Sequence, residues 1–231
     1  MAKHLDLEEQ EQLAELKHFW KKYGNIITWA LIVVFGSVCA WQGYHYWQGK
    51  QAAQAAVMYE EVERAVQSGE AVRLDRSLSD MKNRFGGTVH ADQAGLLIAK
   101  AYYDKGSLDA SKAALRWVAE NASDEGYQSL AKLRLAGIFF ESKAYDEALK
   151  LVSGTFPKDF AALAFDRSGD ILLAQGKKSE AKLKYEKAYR GLEESVEYRR
   201  LVEIKLNALG VDPIVVEVNP LKSTLDVEAK K

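Results

Sequence analysis

The side chains best suited to catalysis or metal binding are few and scattered in this chain. The four histidines are His4, His18, His45 and His90, and their positions do not allow them to share one site easily. The single cysteine, Cys39, lies inside an apolar run, where it has no second thiol for a disulfide or a thiolate metal site. We therefore expect no catalytic residues and no metal site.

Motifs that carry enzymatic chemistry are also missing from the sequence. It contains no phosphate-binding glycine loop, no HExxH or GxSxG motif and no zinc-type spacing. Asp104, Asp109 and Asp146 recur near predicted helix ends, where capping or a solvated turn is the default role of an acid. These patterns predict a protein that is not an enzyme and that needs no cofactor.

The composition fits one globular domain attached to an anchor. Of the 231 residues, those after about the first fifty suffice for a domain with its own core. The 32 Lys and Arg residues nearly balance the 33 Asp and Glu residues, and the two signs are interspersed. Because no basic field results, we expect no nucleic-acid partner.

A long uncharged segment near the N-terminus predicts a transmembrane helix. No Asp, Glu, Lys or Arg interrupts the sequence between Tyr23 and Gly49. About 20 apolar residues cross the hydrocarbon core of a bilayer, so the length suffices. We assign residues 23–49 to the span and residues 1–22 to an amphipathic segment before it. Aromatic side chains mark the two predicted interfaces: Trp20 and Tyr23 before the apolar centre, and Trp41, Tyr44, Tyr46 and Trp47 after it.

The lysines that flank the span predict its direction. Lys17, Lys21 and Lys22 precede it, whereas only Lys50 follows at comparable distance. Since basic flanks stay in the cytoplasm, we expect a cytoplasmic N-terminus and a translocated domain. The main alternative is a cleaved signal peptide, because Ala53-Gln54-Ala55 has the small-x-small form of a cleavage site. The apolar core is longer than the usual ~7–15 residues, which favours the anchor.

Small residues form a strip on one face of the predicted span. Gly36, Ala40 and Gly43 are spaced by four and three residues, which places them on roughly one side of a helix. Such a strip lets a second membrane helix approach closely, so these residues are candidate partner-binding positions. The alternative is that Gly and Ala are simply common in membrane helices, and the sequence does not decide between the two.

A repeated pattern dominates the sequence beyond Lys50. Apolar residues recur at helical spacing, and three similar segments begin at Gly106, Lys143 and Gly176. The intervals of 37 and 33 residues are close to the ~34-residue period of tetratricopeptide units. The pattern predicts an all-α fold in which helical hairpins stack into a solenoid over residues 50–210. The tryptophan and the terminal proline of the full consensus are missing from their expected places.

Within each repeat the sequence predicts which side chains bring the two helices together. A small residue allows the helices to approach, and a larger apolar residue fills the space that they leave. The predicted small positions are Ala99, Ala136 and Gly169, the large positions three residues later are Tyr102, Phe139 and Leu172, and the second helix contributes Leu115, Val152 and Tyr185.

The ends of the repeat array are predicted to differ from its centre. A degenerate helix pair, over residues 52–67 and 72–85, precedes the first repeat around Gly69. A capping helix over residues 192–209 ends at Gly210. Residues 211–231 are mostly polar apart from Ile214-Val215-Val216, and we expect them to form a flexible tail.

The order of these parts resembles a known family. The pattern Leu16-Lys17, Phe19-Trp20, Gly24, the apolar span and the aromatic group from Trp41, followed by the repeats, resembles the YfgM-like family of tetratricopeptide-containing ancillary subunits of the Sec translocon. The resemblance implies a single-pass protein of the bacterial inner membrane with its domain in the periplasm. It also implies association with the SecYEG channel subunits and with a periplasmic chaperone of the PpiD type.

Two functional hypotheses remain open. In the first, the chain is an ancillary subunit that mediates contacts between the channel and periplasmic chaperones during protein export. In the second, it is a membrane-anchored tetratricopeptide scaffold for envelope complexes unrelated to secretion. In either case the inner curve of the solenoid offers a groove for extended or helical segments, with translocating polypeptides among the candidate ligands and membrane lipids around the span.

Overall fold

The computed structural model describes residues 7–213, which contain nine α-helices and no β-strand. The predicted all-α fold is confirmed. The chain divides into two compact units, Met1–Ala53 and Gln54–Lys231. In chain order the helices are α1 (Leu7–Ser68), α2 (Ala71–Phe85), α3 (Val89–Asp104), α4 (Leu108–Asn121), α5 (Glu125–Glu141), α6 (Tyr145–Val152), α7 (Lys158–Ala174), α8 (Lys178–Gly191) and α9 (Glu197–Ala208).

The first unit contains the part of α1 that carries the predicted span. Among the described residues, α1 is the one helix long and apolar enough to cross a membrane, and only 6% of its most apolar stretch is buried. Trp29 and Phe35 expose 63% and 64% of their surface. Apolar exposure of this extent is unfavourable in water, so the stretch fits a membrane anchor and not the core helix of a soluble domain.

The hydroxyl groups within this apolar stretch are satisfied by the helix itself. Thr28 Oγ1 donates to the carbonyl oxygen of Gly24 at 2.7 Å, and Ser37 Oγ donates to that of Val33 at 2.7 Å. A polar group inside hydrocarbon needs an internal partner. Because both hydroxyls have one, neither residue opposes insertion into a bilayer.

The second unit is a stack of helical hairpins. The pairs α3/α4, α5/α6 and α7/α8 are those that the repeats predict, and each helix from α2 onward packs against the next one along the chain. The first helices of successive hairpins also touch, α3 with α5 and α5 with α7. Ahead of them, Val62 from the end of α1 and Leu74 from α2 are buried in the same apolar cluster as residues of α3. This is the nearest-neighbour packing of a solenoid.

The turn between the two helices of each hairpin has one backbone conformation. Gly106, Lys143 and Gly176 have φ angles of 75°, 60° and 78°, in the left-handed region that glycine tolerates best. The residue after each of them donates its backbone N–H, at 2.9 Å, to the carbonyl of the large apolar residue of that repeat: Tyr102, Phe139 or Leu172. These are the hydrogen bonds of the Schellman C-cap, so the aligned repeats share their turn geometry.

The C-terminal end of the array departs from the prediction in two places. Helix α9 begins at Glu197 and not near residue 192, because Leu192 caps α8 and residues 192–196 form the connection. Val211, assigned to the flexible tail, is only 4% exposed. Gly210 has a φ of 76°, and the Val211 N–H then donates to the Leu206 carbonyl at 3.1 Å, which folds Val211 into the terminal apolar cluster. Residues 214–231, with the predicted apolar run, lie outside the described residues.

Candidate functional site

The predicted packing residues lie where the two helices of each hairpin meet. Ala99, Ala136 and Gly169 are buried on α3, α5 and α7. Gly169 makes the closest approach, since a Cβ added to it would lie 2.5 Å from the ring of Tyr185 on α8. Of the three large positions, Tyr102 and Leu172 are buried and Phe139 is half-buried.

A groove lies along the first helices of the repeats. It has a volume of about 520 Å³ and is formed by α3, α4 and α5, with one side chain from α7. Leu130, Leu133 and Ile138 supply apolar surface, and Gly137 leaves open space because no atom lies within 4 Å of a Cβ added there. We call this cavity the first-helix groove; its polar members include Lys100, Tyr103, Asp104, Arg134, Glu141 and Arg167.

The acidic side chains of the first-helix groove already have partners. The Tyr103 hydroxyl donates to Glu141 Oε2 at 2.6 Å, which joins α3 to α5. Lys100 Nζ donates to Asp104 Oδ2 at 2.5 Å within α3. The hydrogen bond to Glu141 raises the pKa of Tyr103, so this hydroxyl stays a donor. Both carboxylates are therefore occupied from inside the groove.

Two arginines in the first-helix groove, unlike its two acids, form no hydrogen bond or ion pair with any residue that the structure describes. Arg134 on α5 and Arg167 on α7 each precede the small repeat residue, Ala136 or Gly169, by two positions. Across residues 7–213 neither guanidinium forms an ion pair or a hydrogen bond. The sequence predicts a groove but does not single out these two residues. Their shared position in the aligned repeats is the signal that could have found them.

The small-residue strip lies on α1 in the first unit. Gly36, Ala40 and Gly43 are all exposed, and no atom lies within 4 Å of a Cβ added to either glycine. The strip is therefore open to close approach by another helix inside a membrane.

A buried polar cluster, which the sequence patterns do not predict, joins α9 to α7. Asp166 is 2% exposed and accepts hydrogen bonds from the Tyr198 hydroxyl at 2.6 Å and from Lys205 Nζ at 2.8 Å. Asp170 accepts from Lys205 Nζ at 2.7 Å and from the Tyr185 hydroxyl at 2.8 Å. Burial, together with the bonded carboxylates, raises the pKa of both tyrosines, so both remain donors. These hydrogen bonds and ion pairs attach α9 to α7.

Asp92 on α3 has the opposite environment. Its side chain is 0% exposed, and neither carboxylate oxygen accepts a hydrogen bond. Burial is the main reason why the pKa of this carboxyl is raised to about 6. The negative charge of Asp124 also raises this pKa, whereas the nearby Ser123 backbone N–H lowers it. Asp92 is not part of a metal-binding cluster, because within residues 7–213 no three His, Cys, Asp or Glu side chains are grouped so as to hold a metal ion.

The stacked hairpins define a protein of the tetratricopeptide repeat-like class, and residues 17–211 match the family described as "Tetratricopeptide repeat-like domain". The chain is 32% identical to the "Ancillary SecYEG translocon subunit" of Neisseria gonorrhoeae, an alignment that covers 90% of this chain and 100% of that protein. It is 29% identical to the protein of the same name from Haemophilus influenzae, over 88% of this chain and 98% of the relative. It is 25% identical to the protein of the same name from Escherichia coli, over 88% of this chain and 97% of the relative. The chain therefore belongs to the tetratricopeptide repeat-like family that includes the ancillary SecYEG translocon subunits.

Proposed function

We propose that this chain is an ancillary subunit of the SecYEG translocon in the bacterial inner membrane and that it mediates protein–protein contacts during export. The observation that carries the proposal is the similarity to relatives of that name over 88% to 90% of the chain. The exposed apolar stretch of α1 supports the membrane attachment. Stacked hairpins with an open groove support a binding role in place of a catalytic one.

The proposed topology places residues 1–22 in the cytoplasm, residues 23–49 in the membrane and residues 50–210 in the periplasm. This topology is supported by the distribution of lysines around the span, because Lys17, Lys21 and Lys22 precede it and only Lys50 follows it at comparable distance. Protease added to spheroplasts should digest the domain while leaving the N-terminus intact. Digestion of the domain in inverted membrane vesicles would contradict this topology. N-terminal peptides of the mature protein should begin before Ala53, and cleavage near Ala55 would contradict the anchor.

The proposed contact with the channel is the strip of Gly36, Ala40 and Gly43. Photo-crosslinking side chains placed at these three positions in native membranes should yield products that contain channel subunits. Val34 and Val38 are matched controls, because two residues along a helix correspond to roughly the opposite face, and they should crosslink to lipid. Absence of channel subunits from the products at all three strip positions would favour the scaffold hypothesis.

The proposed role of the periplasmic domain is to hold a chaperone of the PpiD type near the channel exit. Tethering to the membrane raises the effective concentration of a partner without requiring tight contacts. The chaperone should co-purify with the intact chain from solubilised membranes. It should be lost when the second unit is replaced by an unrelated folded domain on the same anchor, and its retention would show that the anchor alone recruits it.

A further inference from the structure

We propose that the first-helix groove binds an extended acidic segment of a partner protein, whose carboxylates pair with Arg134 and Arg167. The inference rests on the proposed function, in which the second unit contacts other polypeptides, and it names the chemistry of the segment. It is independent of the membrane strip, which belongs to the first unit.

Charge complementarity selects an acidic ligand. Asp104 and Glu141, the two acids of the groove, accept hydrogen bonds from Lys100 and Tyr103, whereas neither arginine forms an ion pair or a hydrogen bond among the described residues. A guanidinium presents a planar fork of N–H donors that matches a carboxylate in bidentate geometry. An incoming acidic side chain would therefore find two guanidinium groups that form no ion pair within residues 7–213, whereas an incoming basic one would compete with Lys100 for Asp104 and with the Tyr103 hydroxyl for Glu141.

The repeat geometry predicts the spacing of the acidic residues. Arg134 and Arg167 hold the same repeat position on α5 and α7, and these two helices pack against each other. Packed helices lie about 8–10 Å apart. An extended chain in the polyproline II conformation rises about 3.1 Å per residue with about three residues per turn, so carboxylates three residues apart lie on one face and would reach both arginines.

The apolar part of the groove wall predicts which residue accompanies the carboxylates. Leu130, Leu133 and Ile138 provide apolar surface for one aliphatic side chain, and Gly137 leaves room for the ligand backbone. The expected pattern is an acid, an apolar residue, any residue and a second acid.

The test uses the purified full-length chain in detergent micelles and three fluorescein-labelled peptides that differ only at two positions. The peptides carry Glu-Leu-Ala-Glu, Gln-Leu-Ala-Gln or Lys-Leu-Ala-Lys at the centre, and fluorescence anisotropy gives their affinities. The acidic peptide should bind most tightly, and its affinity should fall with added salt. Arg134→Gln and Arg167→Gln should each weaken it about 5-fold, and the double variant roughly 20-fold. Arg190→Gln, an exposed arginine on α8 outside the groove, should change nothing.

Charge reversal keeps the proposal falsifiable if a substitution disturbs folding. The variant R134E/R167E should lose the acidic peptide and gain the lysine peptide, an exchange that an unfolded protein cannot show. Equal binding of the glutamate and glutamine peptides, or wild-type affinity in the double glutamine variant, would overturn the proposal. Binding of the acidic peptide only after removal of residues 214–231 would also overturn it, because this part of the chain, which contains Glu217, Asp226 and Glu228, would then be the occupant. None of these outcomes would affect the channel crosslinks from the membrane strip. Failure of the acidic-segment proposal is therefore distinguishable from failure of the proposed function.

Discussion

Substitution of Gly169 by alanine tests how closely the helices of the third repeat approach. The added Cβ would lie 2.5, 2.6 and 2.9 Å from three ring atoms of Tyr185. The ring has little freedom to move, because it is 1% exposed and its hydroxyl is bonded to Asp170. The first and second repeats carry alanine at this position, but their second helices have Leu115 and Val152 in place of the tyrosine.

Two opposing terms set the size of the effect of Gly169→Ala. Alanine is favoured over glycine in a helix interior by about 1 kcal/mol. Overpacking a core typically costs about 1–3 kcal/mol, and contacts this short with a fixed ring belong at the upper end of that range. The net expectation is a loss of about 1–2 kcal/mol, or a melting temperature lower by roughly 2–8 °C for a domain of this size.

The assay is thermal unfolding of the purified chain followed by circular dichroism, with two controls. Gly137→Ala changes a glycine inside α5 that has no atom within 4 Å of its added Cβ, so it should stabilise the fold by about 0.5–1 kcal/mol. In a Tyr185→Leu background, which imitates the first repeat, Gly169→Ala should no longer destabilise. If Gly169→Ala proves as stable as Gly137→Ala, the close contact on which this reasoning depends does not exist.

Three further predictions follow from the turn, the buried polar cluster and the buried acid. Lys143→Gly should stabilise the fold by about 0.5–1 kcal/mol in thermal unfolding, because it places glycine at a φ of 60°. Lys205→Met should destabilise by about 2–4 kcal/mol in denaturant titration, because it leaves Asp166 buried without its cation. For Asp92, the folded pKa of about 6 exceeds the ordinary 3.8, so the parent loses stability as pH rises through that window. Asp92→Asn should remove this loss and be more stable than the parent by about 1–2 kcal/mol near pH 7.5, but not near pH 4.

Each of these predictions has a matched control in the same chain. Lys177 lies beside the third turn with a φ of −84°, so Lys177→Gly should not stabilise. Arg73 forms an exposed ion pair with Glu70, and Arg73→Met should change stability by less than about 1 kcal/mol. Glu120 is an exposed acid, so Glu120→Gln should not stabilise the fold. Equal effects in a test variant and its control would contradict the structural reason given for the test.

The helical fold and the repeats follow from short-range patterns, which is why the sequence predicts them. Hydrophobic spacing depends on residues three and four apart, and the turns at Gly106 and Gly176 depend on single glycines. The start of α9 is missed because Leu192 continues the apolar spacing of the helix, although it is the cap of α8. Val211 is missed because its burial depends on the backbone reversal at Gly210.

The polar features are missed because they join residues far apart in the sequence. Lys205 reaches Asp166 across 39 positions, and nothing in the local sequence of α9 marks that lysine as different from its neighbours. The groove arginines are easier to find from the sequence, because aligning the repeats places Arg134 and Arg167 at the same repeat position. What the alignment does not give is that they form no ion pair within residues 7–213, which requires the positions of Lys100, Tyr103 and the two acids.

The cluster of Asp166, Asp170 and Lys205 also has a consequence for how the gene could change in length. A hairpin array grows by duplication, because each new hairpin can stack on the last one. Here a hairpin inserted between α8 and α9 would separate Lys205 from two carboxylates, one of them 2% exposed. Such an insertion would leave both acids without a cation unless the new hairpin brought its own lysine to the same depth. Growth of the array at this end would therefore have to copy the whole segment from α7 to α9 to keep the buried charges paired.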